Sequence, residues 1–214
     1  MITIEQLKTF IPVLRNATDS YQELLDALTK TFNHCEINTP RRVRYFMSQV
    51  FFETEGFLKF SENLFYTKPE RLVEVWPTRF SMTRGVQGKA FAPDYINNAV
   101  KLGNLVYANR NGNGDVASGD GFNFRGGGGL HLTFRDNYTK CSKAMYGDDR
   151  LVQNPRLVEA YDAAMMSAGW FWSVNKLNAL ADADEFTKMT GVINGSTSTA
   201  PKRLLVLNKA NIVF

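Results

Sequence analysis

The stretch 50–67, VFFETEGFLKFSENLFYT, carries two carboxylates, Glu53 and Glu62, whose residue type and proximity in sequence suit one kind of chemistry. Hydrolysis of a glycosidic bond needs a protonated carboxylic acid, which gives its proton to the leaving oxygen. It also needs an ionised carboxylate, which activates a water on the opposite face of the sugar. Two identical groups must then be held in different protonation states, and only their surroundings can supply the difference.

Thr39 is a good N-cap and Pro40 a good first helical residue, which predicts a helix from there to a stop at Gly56. At 3.6 residues per turn, Val43, Met47, Val50, Thr54 and Phe57 share one face, and Glu53 lies roughly 80° off its centre, on the flank with Phe46. Partial burial there disfavours the charged form and raises the carboxyl pKa, as a general acid requires. Glu55 projects about 200° from Glu53, toward solvent. Glu62 follows the helix between Ser61 and Asn63, a polar setting that suits an ionised base.

With 214 residues and 44% apolar content the chain can bury a substantial core, and its length predicts one domain over 1–214. No stretch approaches the ~18 apolar residues of a membrane span, so no stable membrane insertion is expected. The start, MITIEQLKTF, lacks the sections of a signal peptide, which predicts a cytoplasmic origin. Cys35 and Cys141 are too few for a disulfide framework and read as reduced thiols. The 25 basic and 21 acidic residues leave +4, with basic residues scattered as in Arg41, Arg42, Arg44 and Lys68. Such a surface favours encounter with anionic polymers or serves solubility, and it is not a nucleic-acid signature.

Along the chain, Thr3 and Gln6 form a capping-box pattern opening a short helix stopped by Pro12. Helices are predicted over 19–32, 69–75 and 95–107, and over 184–193, with 204–214 ending a final helix. Ala164, Ala168 and Trp172 make an apolar helix stripe. The region 78–93 reads as irregular, either lining a groove or forming a surface loop. The glycine-rich block 108–129 fails as a calcium loop, because Val116 stands where the turn glycine belongs and Phe122 where the bidentate Glu belongs. It lacks the GK[ST] ending of a phosphate loop, and a single RGG is a weak RNA signal. A small hairpin or irregular β segment is the expected form. His131 can serve as a base or bind substrate; His34 and Cys35 have no zinc-ligand spacing to it.

Several blocks together resemble a known family. FETEGF followed by SENLFYT is similar to the helix-ending HE(S/T)GGF and ENLNY of the family 19 glycoside hydrolases, the chitinase family that includes phage endolysins. YANRNGNGDVASGDGFNFRG resembles that family's endolysin pattern YANRMGNGD.ASGDG.RYRG, and GGGLHLTFRDNY resembles RGLIQLTGRDNY. NPRLVEAYDAAMMSAGWFWSVNKLNALAD and the later ING resemble further blocks. By this match Glu53 is the general acid, Glu62 the general base, and Thr133 the hydroxyl that orients the attacking water. His131, at a Gln position, contacts substrate, as do Asn137, Tyr138, Asn194 and Tyr66; Arg203 falls near the acid, where its charge would oppose the effect of burial. Packing is the alternative for Tyr138. The chain departs from the pattern at Phe52 (His in the family), Glu55 (Gly), Phe65 (Asn), Gly127 (Arg), Gly129 (Leu), Phe134 (Gly) and Ser196 (Gly).

The resemblance implies a mainly α, lysozyme-like, two-lobed helical domain with a small β-hairpin or irregular β segment beside a cleft. It implies inverting hydrolysis of β-1,4 bonds between amino sugars without metal or cofactor. The expected role is that of a monomeric phage endolysin acting on bacterial peptidoglycan glycan strands, moving from host cytoplasm to periplasm and cell wall after a holin opens the inner membrane. A chitinase is the first alternative, a catalytically degenerate wall-binding module the second, and a nucleic-acid-binding protein the third.

Overall fold

In the computed structural model, which describes residues 2–15 and 19–214, side chains that satisfy free backbone N–H groups set several helix starts. Thr3 Oγ1 accepts from Gln6 N at 3.2 Å and Gln6 Oε1 from Thr3 N at 2.9 Å, completing the expected capping box. Ser20 and Thr39 cap the next two helices by the first of these bonds alone, accepting from Glu23 N and Arg42 N. In chain order the helices are α1 (Ile4–Phe10), α2 (Tyr21–His34), α3 (Pro40–Glu53), α4 (Pro69–Val75), α5 (Ala99–Val106) and α6 (Asp120–Asn123). They continue as α7 (Arg135–Tyr146), α8 (Arg150–Gln153), α9 (Tyr161–Val174), α10 (Leu177–Asp182), α11 (Phe186–Asn194) and α12 (Ala200–Val213). The described residues are thus mainly helical, and no helix among them is long and apolar enough to cross a membrane.

The chain forms two compact units. The first comprises Met1–Ser61, Gly127–Leu132 and Thr139–Phe214. Its core is built from Phe10, Leu24, Leu28, Phe46, Met47, Val50, Trp172 and Leu177 on helices α1, α2, α3, α9 and α10, all fully buried. Helix α9 is buried on nearly every side, so its WFW residues pack rather than face solvent, and Trp172 Nε1 donates to Asn178 Oδ1 at 2.7 Å. A Cβ on Gly169 would stand 2.6 Å from Thr31 and 2.7 Å from Cys35 Sγ, so glycine permits the close approach of α9 to α2. Cys35 and Cys141 are buried and free. Burial pushes both thiols up, Cys141 to about 12.

Helix α3 ends at Glu53, three residues short of the expected stop, because the backbone turns left-handed before Gly56 is reached. Glu55, Gly56 and Phe57 have φ of 49°, 84° and 66°. Thr54 stabilises the turn, its hydroxyl donating to Val50 O at 2.6 Å and accepting from Phe57 N at 2.9 Å. Phe57 is therefore buried, as its place in the apolar pattern predicted, but outside the helix. Gly127 bridges Ser61 and Leu132, and Gly128 N donates to Phe60 O at 2.9 Å.

The second unit comprises Glu62–Gly126 and Thr133–Tyr138, with a core of Leu64, Leu72, Phe80, Ala92, Leu102 and Val106. The 78–93 region holds β1 (Phe80–Ser81) and β2 (Ala90–Phe91), paired in parallel. A 3-10 turn at Ala92–Tyr95 and a left-handed Asn97 (φ 56°) delay the next helix, so α5 starts at Ala99, capped by Asn98, rather than at 95. Of the two forms expected for the glycine-rich block, the irregular β segment is the one seen: Gly127 forms antiparallel bridges with Ser61 and Leu132. Asp115 caps a 3-10 turn at Val116–Ser118, and α6 follows at once. Buried Asp120 then accepts from Gly114 N at 2.9 Å and from Arg135 Nη2 at 2.8 Å, tying block to α7.

Candidate active site

Glu53 ends α3 with its side chain 16% exposed, half-buried as its flank position predicts. The counter-charge comes from α12: Arg203, 1% exposed, donates from Nη2 to Glu53 Oε1. Its other nitrogens are also placed, Nη1 on Gln49 Oε1 at 2.7 Å and Nε on Thr199 Oγ1 at 3.0 Å. Gln49, one turn before Glu53 on α3, is itself oriented by donating to Thr190 Oγ1 at 3.0 Å. A buried guanidinium is tolerated only when paired and hydrogen-bonded, and here each nitrogen meets an acceptor. The face of the ion lies 4.4 Å from the centroid of Phe52, so the phenyl standing in place of the family's His holds Arg203 by a cation–π contact.

Asn194, exposed at the end of α11, donates to Ser196 O at 3.3 Å and to the same Thr199 Oγ1 at 3.4 Å. Glu53, Arg203, Thr199 and Asn194 therefore form one hydrogen-bonded chain. His131 also belongs to the first unit, half-buried and left-handed with φ 49°.

The second unit gathers the other set. Glu62 N donates to Gly126 O at 2.8 Å, while Gly126 N reaches back to Glu62 Oε2 at 3.3 Å. The Tyr107 hydroxyl stands 2.8 Å from each carboxylate oxygen. Burial first, and the Glu62 charge next, push this phenol far above its ordinary range, so it stays protonated and donates. Tyr66, half-buried with its ring centroid 5.6 Å from that of Trp76, is raised as well, by burial and then by Glu62.

Thr133 precedes α7, and its carbonyl accepts from Asn137 Nδ2 at 2.9 Å. Tyr138 is 1% exposed, packs against Phe124 and donates to Arg125 O at 3.0 Å, a core position that leaves it no free surface for a sugar. Phe134, where the family has Gly, keeps the glycine-like φ of 75°. Its ring meets Tyr107 edge-on at 5.5 Å and lies 4.9 Å from the Arg110 guanidinium.

The candidates thus fall into two sets: Glu53, Arg203, Asn194 and His131 in the first unit, and Glu62, Tyr66, Thr133, Asn137 and Tyr138 in the second. Gln49, Thr199 and Tyr107 are not singled out by sequence reasoning. Gln49 shares a helix face with Glu53, and Tyr107 opens the YANR block, so a signal existed for both. Among the described residues, no group of three or more His, Cys, Asp or Glu side chains could hold a metal ion.

No protein-family model matches the chain. A curated Haemophilus influenzae protein described as a glycosyl hydrolase family 19 domain-containing protein is 30% identical over 161 residues, covering 74% of this chain and 72% of that protein. Chitinase C from Streptomyces griseus is similar in fold, with a TM-score of 0.62 at 19% identity over 99% of this chain and 91% of its own. A bacterial family 19 chitinase gives 0.62 at 17% identity over 99% and 94%. On the strength of this sequence relationship, with the same fold in the solved structures, the chain belongs to glycosyl hydrolase family 19 and is a glycoside hydrolase.

Proposed function

We propose that this glycoside hydrolase is a phage endolysin that cuts β-1,4 bonds of bacterial peptidoglycan, a muramidase working with inversion and lysing the host. The observation that supports this division of roles is that each carboxylate is held by its own set of donors. Glu53 meets a buried guanidinium, whereas Glu62 meets a protonated phenol and a backbone N–H.

In this reading a proton on Glu53 passes to the glycosidic oxygen as the bond to the anomeric carbon breaks. Arg203 stabilises the carboxylate left behind. Glu62 takes a proton from the water that adds to the opposite face of that carbon, with Thr133 placing the water. Exchange with solvent then returns a proton to Glu53 and removes one from Glu62. His131, Asn137, Asn194 and Tyr66 supply polar and aromatic contacts to the sugars, and Tyr138 contributes through packing.

The endolysin-like glycine block and the two buried free thiols, which suit a reducing compartment, support a protein made in the host cytoplasm. It would act as a monomer, reaching periplasm and wall once a holin opens the inner membrane, with the mild positive charge favouring the anionic envelope. A second reading, hydrolysis of chitin, uses the same carboxylates and is favoured by the fold shared with chitinases.

The deciding experiment digests purified Gram-negative peptidoglycan and, in parallel, chitin with wild type and with Glu53→Gln, followed by mass spectrometry of the released fragments. Reducing-end N-acetylmuramic acid from wild type alone is the expected result. Reducing-end N-acetylglucosamine would keep the mechanism and move the bond, and release only from chitin would favour the second reading. Wall binding with no release from any substrate would sink the proposed hydrolysis and leave a binding module.

A further inference from the structure

Tyr107 is the C-cap of α5, its backbone N donating to Gly103 O at 3.1 Å, and its ring is fixed edge-on against Phe134. The hydroxyl is therefore delivered by a helix end rather than by a mobile loop. It lies 2.8 Å from both oxygens of Glu62, although a phenol has one hydrogen to give. Gly126 N, at 3.3 Å, reaches Oε2 alone.

From this asymmetry we infer that Tyr107 is a positioning residue that fixes the Glu62 carboxylate so that Oε1 is the atom receiving the proton of the attacking water. The inference rests on the reading of Glu62 as base. A carboxylate oxygen has two acceptor directions. With the Tyr107 hydrogen shared between the two oxygens and Gly126 N–H on Oε2, both directions of Oε2 are taken, and one direction of Oε1 remains for water. Once Oε1 is protonated, the Tyr107 hydrogen bond stays on Oε2 and nothing else needs to move. Tyr107 does not itself take the proton, because burial and the neighbouring carboxylate keep its hydroxyl protonated. Arg110, the one cation acting in the opposite direction, is outweighed.

The alternative is that Tyr107 only packs. Tyr107→Phe keeps the ring and its contact with Phe134, so it separates the two. The probe is a soluble glycan strand freed of peptide, with kcat and KM measured for wild type, Tyr107→Phe, Glu62→Ala and the double variant. Losing one hydrogen bond to a charged group predicts a fall in kcat of about 10- to 100-fold with KM unchanged. Azide, which attacks the anomeric carbon without needing a base, is expected to restore turnover to Glu62→Ala as the glycosyl azide. The added Phe should then cost that rescued rate nothing.

In the wild-type NMR spectrum, a slowly exchanging hydroxyl proton should vanish in Tyr107→Phe and shift in Glu62→Gln. Wild-type kcat in Tyr107→Phe, beside an inactive Glu62→Ala, would overturn the inference alone. So would a double variant slower than Glu62→Ala in azide, or the absence of a Glu62-dependent hydroxyl signal. Full activity of Glu62→Ala would instead remove the base assignment, and the inference with it.

Discussion

The Arg203 guanidinium is buried, and Glu53 is its sole anionic hydrogen-bond partner among the described residues. Removing the carboxylate strands a charge away from water. Glu53→Ala is therefore expected to lower stability by about 3–5 kcal/mol, and Glu53→Gln, which keeps an acceptor for Nη2, by about 1–3 kcal/mol. Urea unfolding checks the order. An alanine variant as stable as wild type would mean that Arg203 does not depend on Glu53.

Glu55 occupies the left-handed region with φ 49°. A residue with a Cβ carries a cost there of roughly 1–2 kcal/mol, and glycine avoids it while losing about 0.5–1 kcal/mol of backbone entropy. The ion pair to Lys59, 2.7 Å long and mostly solvated, adds little. Glu55→Gly should thus be more stable than Glu55→Ala by about 0.5–1 kcal/mol, the reverse of their order within a helix. Thermal unfolding of the two variants tests this, and an alanine variant at or above the glycine one would contradict the left-handed turn.

In the second unit, Arg135 is the main cause holding the Asp120 carboxyl below the ordinary aspartate range, with Gly114 N–H adding to it. The folded state then binds fewer protons at this site than the unfolded chain, so stability rises with pH through the interval between the two values. The contribution is complete above an unfolded pKa of about 3.9 and disappears as pH falls through the lower folded value. Asp120→Asn should lower stability at pH 7 and flatten its dependence on pH below about pH 4. Denaturant midpoints at pH 7, 4 and 2 provide the measurement. Parallel curves for variant and wild type would exclude the pairing.

These three sites show which features the sequence made legible. Helix starts at Thr3, Ser20 and Thr39 rest on neighbouring side chains, α4 opens on Pro69 at its first position, and local signals sufficed to predict a helix at each. The strand pair is two residues on each side, too short for alternation to register. The early end of α3 depends on a non-glycine residue adopting a glycine-like conformation, which composition does not reveal. The two carboxylates were visible as residues, but their partners were not visible from spacing. Tyr107 is 45 positions from Glu62, and Arg203 is 150 from Glu53, so only folding or a family pattern brings them together. Tyr138 shows the converse: a motif position whose side chain the fold directs into the core.

Thr199 is the joint between a residue proposed to contact substrate and the cation on the proposed acid. Its hydroxyl accepts from Arg203 Nε at 3.0 Å and from Asn194 Nδ2 at 3.4 Å. Thr199→Val keeps the shape and removes the acceptor, leaving Nε of a buried guanidinium unsatisfied. A lost hydrogen bond to a charged group predicts about a 10-fold or greater fall in kcat, with a smaller rise in KM as the Asn194 amide loses its weaker tether. Thr199→Ser restores the oxygen and should recover most of the rate. Steady-state kinetics of the two variants on the soluble glycan decide it, because a packing role would be better served by the isosteric valine than by serine. If valine retained the rate and serine lost it, Thr199 would matter through its methyl group, and Arg203 would be held adequately by Gln49 and Glu53 alone.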